Sequence, residues 1–267
     1  MRIAVGSRSD VGLIRTNNED HYAVELPLNL FVLCDGMGGQ AAGEVASRMG
    51  VETIIDHCRH QHKNPRTDIF GEYREEFTPL TNRLASAVRL SNEAIYRHAM
   101  KDASTAGMGA TVVAAQIQEN ILSIAHVGDS RIYLFRGRQL QQLTQDHSLV
   151  MEQVRQGLMS VEQAEESDLA NVILRALGAE PTVQVDLDEL WIGAGDQLLF
   201  CSDGLTRMVT EQQISAVLAQ ITNPQQAADK LVELANDKGG EDNTTVIVVR
   251  MMPSPTSGWR KWLGLDK

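Results

Sequence analysis

Three apolar runs in this chain each stop at an aspartate followed by a small residue, and a fourth run begins just after one. Phe31, Val32, Leu33 and Cys34 lead into Asp35-Gly36, residues 124–128 into Asp129-Ser130, and residues 198–202 into Asp203-Gly204, while Asp242-Asn243 opens the run 244–249. Short apolar runs bounded by turn residues read as strands. Each strand then carries a carboxylate at one end, where the chain turns. Carboxylates so placed, far apart in sequence, can converge at one end of a sheet. Such a concentration of oxygen donors suits hard divalent cations such as Mg²⁺ and Mn²⁺.

Composition narrows the alternatives. The 267 residues suit one large domain or two small ones, and at 43% hydrophobic content with only 4% aromatics the core must be mostly aliphatic. Against 35 acidic residues stand 24 basic ones, a net charge of −11. That balance argues against a nucleic-acid partner, which needs clustered Lys and Arg. Cys34, Cys58 and Cys201 have no short metal-type spacing, and so sparse a count suggests a reducing compartment without disulfides. They read as buried small hydrophobes. No run approaches the roughly 20 apolar residues of a membrane helix, and the start of the chain does not read as a signal peptide. The expectation is a soluble, cytoplasmic monomer.

Along the chain, residues 2–35 read as short strands, 41–59 as a helix with Val51, Ile54, Ile55 and Cys58 on one face, and 57–77 as a polar loop. A second helix is expected over 79–101. Strands follow at 111–117, 121–127, 131–135, 139–143, 183–187, 197–201 and 244–251, the closely spaced ones forming antiparallel meanders. Thr210 and Asn223-Pro224 begin two further helices. Residues 145–180 are polar, with a capping box at Ser160–Gln163, and read as a flap beside a site. The pattern implies layered α+β packing rather than a doubly wound sheet. Residues 1–251 read as one domain. The Pro/Ser/Gly-containing tail 252–267, ending in Trp259, Trp262 and basic residues, reads as a linker whose end could dock on the domain, meet a partner or touch a membrane surface.

Asp-Gly alone is a common turn. Asp35-Gly36-Met37-Gly38-Gly39 together with Gly128-Asp129-Ser130, Ser202-Asp203-Gly204, Gly240-Glu241-Asp242-Asn243 and the upstream Arg15-Thr16-Asn17-Asn18-Glu19-Asp20 is a far more specific constellation. In order and spacing these strings resemble the metal-dependent protein serine/threonine phosphatases (type 2C, PPM), most nearly the compact bacterial members, over nearly all of residues 1–251. The resemblance implies a four-layer αββα sandwich, two central antiparallel sheets flanked by helices. It implies hydrolysis of phosphoserine and phosphothreonine in proteins by a hydroxide bridging two Mn²⁺ or Mg²⁺ ions, without a phosphoenzyme intermediate.

Site roles carry over residue by residue. Asp35 resembles the carboxylate that bridges the two ions, and Gly36 the residue lending its backbone carbonyl. Asp203 and Asp242 look like the ligands completing the pair, and Asp129, with Asp203, like the holder of a third, weaker ion. Asp20 resembles the acid that orients metal-bound water, Arg15 the phosphate-binding arginine, and Asn243 a residue positioning Asp242 or its loop. Two cations held together lower the pKa of a shared water, and a guanidinium suits phosphoryl oxygens. Animal members often carry histidine after Asp-Gly; here Met37 stands there and cannot donate a proton, so the general acid is left open. His126 reads as a structural histidine and His147 as a shaper of the loop entering the flap. The partners implied are phosphorylated proteins, with a serine/threonine kinase or its substrates on the opposing side. Two other readings stay open: a catalytically silent module on the same fold, and another two-metal phosphohydrolase such as a nuclease.

Overall fold

The computed structural model describes residues 1–38, 42–101, 103–165, 167, 169 and 171–253. The tail beyond Pro253 and part of the glycine string after Asp35 lie outside the described residues. In chain order the elements are β1 (Arg2–Asp10), β2 (Asp20–Glu25), β3 (Leu30–Met37), α1 (Ala42–Lys63), α2 (Pro79–Ala99), β4 (Gly109–Ala110), β5 (Val112–Gln118), β6 (Ile121–Val127), β7 (Arg131–Arg136), β8 (Gln139–Gln142), α3 (Leu149–Arg155), α4 (Val161–Glu165), β9 (Asp186–Trp191), β10 (Gln197–Cys201), α5 (Asp203–Met208), α6 (Glu211–Gln220), α7 (Pro224–Asp237) and β11 (Thr244–Met252). Two antiparallel sheets result, one in the order β1-β11-β10-β7-β8, the other β2-β3-β5-β6-β9 with β4 appended to β3.

The apolar runs are unbroken because the inner strands are buried on both faces. Along β3, Leu30, Val32 and Cys34 face one core, which they share with Ile54, Leu84 and Ile95 of α1 and α2. Phe31 and Leu33 face the opposite way, meeting Phe200, Ile247 and Val249 of the other sheet. Along β10 and β11, Leu199, Cys201, Val246 and Val248 turn outward to Ile214, Leu218, Leu231 and Val232 of α6 and α7. Three stacked cores therefore separate four layers, α1/α2, sheet, sheet and α5–α7, which is the αββα sandwich. The three thiols are buried and free.

Several boundaries move. α1 runs four residues past the expected end at 59, taking part of the polar loop with it. The expected strand at 183–187 lies instead at Asp186–Trp191, an edge strand paired along its whole length with β6. Asp186, Asp188 and Glu189 disguise it by interrupting the apolar pattern, although Leu187 and Leu190 pack against the cores on its two faces. α5 was not expected: Asp203 begins a helix directly after β10, and six residues are too few to show helical periodicity. The capping boxes at Ser160 and Thr210 and the proline start of α7 form as expected.

Candidate active site

Asp35 sits inside β3, not at its end, and in the β2–β3 register it pairs directly with Asp20. The carbonyl oxygen of Asp35 accepts from Thr111 N at 2.8 Å and its amide donates to Thr111 Oγ1 at 3.1 Å. Thr111 Oγ1 in turn lies 2.7 Å from Ser130 Oγ, next to Asp129. Asp203, the first residue of α5, comes within hydrogen-bonding reach of Asp35. The two Asp-Gly glycines are there for close backbone contact rather than for turning. A Cβ on Gly36 would stand 2.1 Å from the Gly43 carbonyl oxygen of α1, and one on Gly204 would stand 2.0 Å from the Asn243 carbonyl oxygen. Gly204 thereby lets α5 press against the Asp242-Asn243 turn and brings Asp203 beside Asp242.

The carboxylates penalise one another. Burial first, and then neighbouring aspartates, push Asp20 up to about 7 and hold Asp35 well above its usual range, the neighbours of Asp35 being Asp20, Asp203, Asp129 and Asp242. Burial followed by Asp203 pushes Asp129 to about 7, and burial raises Asp203 despite Arg207. Asp20 Oδ2 accepts from Ser202 Oγ at 2.7 Å, but Asp20 Oδ1 and Asp129 Oδ1 are buried with no hydrogen-bond partner. Buried carboxylate oxygens left without donors cost stability unless a cation meets them.

Two arginines reach the cluster. Arg15 Nη2 donates to Asp242 Oδ2 at 2.9 Å while remaining half exposed, and Arg207 contacts both Asp203 Oδ2 and, at 3.3 Å, Asp242 Oδ2. Arg207 escaped the sequence reading, and its one signal was the i,i+4 spacing from Asp203, readable only once α5 is recognised as a helix. With these pairings, no three acidic, thiol or imidazole groups among the described residues close into a ready cage. The donor chemistry nevertheless fits a hard divalent cation: all-oxygen ligands, mutual repulsion and two orphaned carboxylate oxygens.

Asn243 does more than hold its own turn. Its Nδ2 donates to the carbonyl oxygens of Val11 and Asn17, both at 2.9 Å, and its Oδ1 accepts from Glu19 N at 2.7 Å. It thus ties down the β1–β2 loop that carries Arg15 and leads into Asp20. Asp146, at the entrance to the flap, is engaged by Arg131 through contacts of 2.6–3.0 Å. His126 stays out of acid–base chemistry near neutral pH: it is buried, its two ring nitrogens are without partners, and burial followed by His147 lowers it to about 3.

The chain matches the family model for protein phosphatase 2C over residues 15–236. It is 40% identical over 245 residues to the serine/threonine phosphatase stp of Listeria monocytogenes, covering 91% of this chain and 93% of that one. Among solved structures, the serine/threonine phosphatase PstP/Ppp of Mycobacterium tuberculosis superposes with a TM-score of 0.82 at 36% identity, over 94% of this chain and 99% of that one. The catalytic domain of PstP in complex with two manganese ions gives a TM-score of 0.79 at 36% identity, over 94% and 99% of the respective chains.

Proposed function

Because the chain belongs to the protein phosphatase 2C family and is a Mn²⁺- or Mg²⁺-dependent serine/threonine protein phosphatase, we propose that its five converging aspartates divide that work as follows. Asp35 would hold both ions, with the Gly36 carbonyl, Asp203 and Asp242 supplying the remaining protein ligands. Asp129 with Asp203 would hold a third. The orphaned oxygen of Asp129 supports this division most directly, since a cation would satisfy it, and the orphaned oxygen of Asp20 is free to accept from a water held by a cation. When bound, the cations supply Lewis acidity that activates water and offsets the phosphoryl charge.

The chain's own residues supply the rest. The half-exposed Arg15 guanidinium, set on Asp242 at the edge of the cluster, binds the equatorial phosphoryl oxygens in a bidentate manner. Asp20, fixed by Ser202, orients the attacking water, and Asn243 keeps Arg15 and Asp20 in register by pinning their loop. The backbone of β5 at Thr111 fixes Asp35 from both its amide and its carbonyl. Met37 offers no proton to the leaving alkoxide, and His126, lowered to about 3, offers none near neutral pH. The proton therefore comes from neither of these two residues.

We further assign residues 1–251 to the catalytic domain and place the protein in the cytoplasm as a monomer opposing a serine/threonine kinase. The free, buried thiols and the net charge of −11 suit that setting, and no helix among the described residues is long and apolar enough to cross a membrane. Release of phosphate from a phosphoserine peptide tests the assignment. Activity should appear with Mn²⁺, vanish with EDTA and fall by several hundredfold or more in Asp203→Ala. Full turnover by folded Asp203→Ala would overturn it.

A further inference from the structure

Arg207 is the basic residue of α5, and its guanidinium spans two of the carboxylates assigned to the metals. Nη2 meets Asp203 Oδ2, one turn earlier on the same helix, and Nη1 donates to Asp242 Oδ2 at 3.3 Å. Its charge also reaches Asp129, where burial, then Asp203 and Asp146, raise the carboxyl and Arg207 works against them. Asp203 is treated in the same way, burial raising it and Arg207 pulling it back. One guanidinium therefore acts on Asp129, Asp203 and Asp242 together.

Both oxygens of Asp242 are already engaged. Oδ1 accepts from Asn243 N at 2.9 Å, and Oδ2 accepts from Arg15 Nη2 at 2.9 Å as well as from Arg207. The backbone under Arg207 is held in place. Gly204 lies against the Asn243 carbonyl, Leu205 is fully buried, and Val209 N closes the helix on the Leu205 carbonyl oxygen at 2.8 Å. The Arg207 side chain itself is 31% exposed, so it can turn to water while its backbone stays.

A divalent cation coming to Asp203 and Asp242 meets two costs here. The oxygens it needs are held by the guanidinium, and the guanidinium cannot shed its charge to make room. What the cation costs the Arg207 pairs, those pairs cost the cation, because coupling between two binding events is reciprocal. Without a cation the same side chain favours the fold, since it offsets repulsion among buried carboxylates.

Resting on the division of metal ligands proposed above, we infer that Arg207 is a tethered competitor of the divalent cations. It pairs with Asp203 and Asp242 when Mn²⁺ or Mg²⁺ is scarce and gives way as the concentration rises, so that it sets the metal concentration at which the site fills. A purely structural ion pair would favour folding alone, and a residue supporting the ligands from outside would favour metal binding too. A competitor favours the metal-free fold and opposes the metal.

The test uses the full chain carrying Arg207→Met, which keeps an unbranched side chain and removes the charge. In EDTA this variant should melt below wild type. In isothermal titration it should bind Mn²⁺ about fivefold or more tightly, the coupling expected when a competing charge is removed. Arg207→Lys, which keeps a charge, should bind closer to wild type. In the wild-type chain the Arg207 Nε–H resonance should shift as diamagnetic Mg²⁺ is titrated, in step with binding. Unchanged or weaker Mn²⁺ binding by folded Arg207→Met, Arg207→Lys binding as tightly as Arg207→Met, or a resonance that stays in place would overturn the inference. A wild-type chain that binds no Mn²⁺ would overturn the site assignment instead.

Discussion

Replacing Asp20 with asparagine should stabilise the metal-free protein while harming catalysis. Asp20 is buried, faces Asp35 across the β2–β3 ladder and has one oxygen without a partner. Its pKa rises from 3.8 to about 7 on folding, burial being the largest cause. The folded state therefore keeps a proton that the unfolded chain releases. The penalty is absent below about pH 4 and grows until pH passes about 7. At about 1.4 kcal/mol per unit, the ceiling is about 4 kcal/mol at pH 7.5 and about 2 kcal/mol at pH 5. Asparagine has no charge to desolvate, so Asp20→Asn should recover part of this. For a chain of this size each kcal/mol moves Tm by about 2–4 °C. Thermal unfolding in EDTA at both pH values measures the effect: a gain of several degrees at pH 7.5 should shrink at pH 5. Saturating Mn²⁺ should then stabilise wild type more than the variant. A variant no more stable than wild type at pH 7.5, or one stabilised equally at both pH values, would refute the reasoning.

Other perturbations separate fold from chemistry. Arg131→Met strips the buried Asp146 carboxylate of its cationic partner, leaving only Gln142 to donate to it, and should lower stability by about 3 kcal/mol in urea unfolding. Gly204→Ala drives a methyl into the Asn243 carbonyl oxygen and should cost about 1–3 kcal/mol, with a weakened response to Mn²⁺ because α5 and the Asp242 turn separate. Arg15→Ala should leave the melting temperature within about 2 °C, since the Arg15–Asp242 pair is half exposed. The same variant should weaken inhibition by inorganic phosphate about tenfold or more, because a charged bidentate contact is lost.

The apolar runs ending in aspartate were legible because strands buried on both faces must be apolar throughout, and the interruption by Asp35 or Asp203 then stands out against them. Helix starts were legible where a local hydrogen bond sets them, as at Ser160, Thr210 and Asn223. Less could be read where the determinant is distant in sequence. Gly36 and Gly204 read as turn formers, yet each is required by another segment's backbone packed against it. Asn243 was expected to serve its own turn, but its side chain bonds to residues 11, 17 and 19, more than 200 positions away. Arg207 carried no motif. Edge strand β9 was displaced because Asp186, Asp188 and Glu189 interrupt its apolar pattern.

Equilibrium binding of Mn²⁺ tests the central claim most directly. Wild-type protein should bind at least two ions per chain, with protons released on binding because Asp20, Asp35, Asp129 and Asp203 all have raised pKa values without metal. Folded Asp35→Ala should lose both of the tighter sites together, as the proposal that this one carboxylate holds both ions requires. Two tight sites persisting in Asp35→Ala would contradict the account.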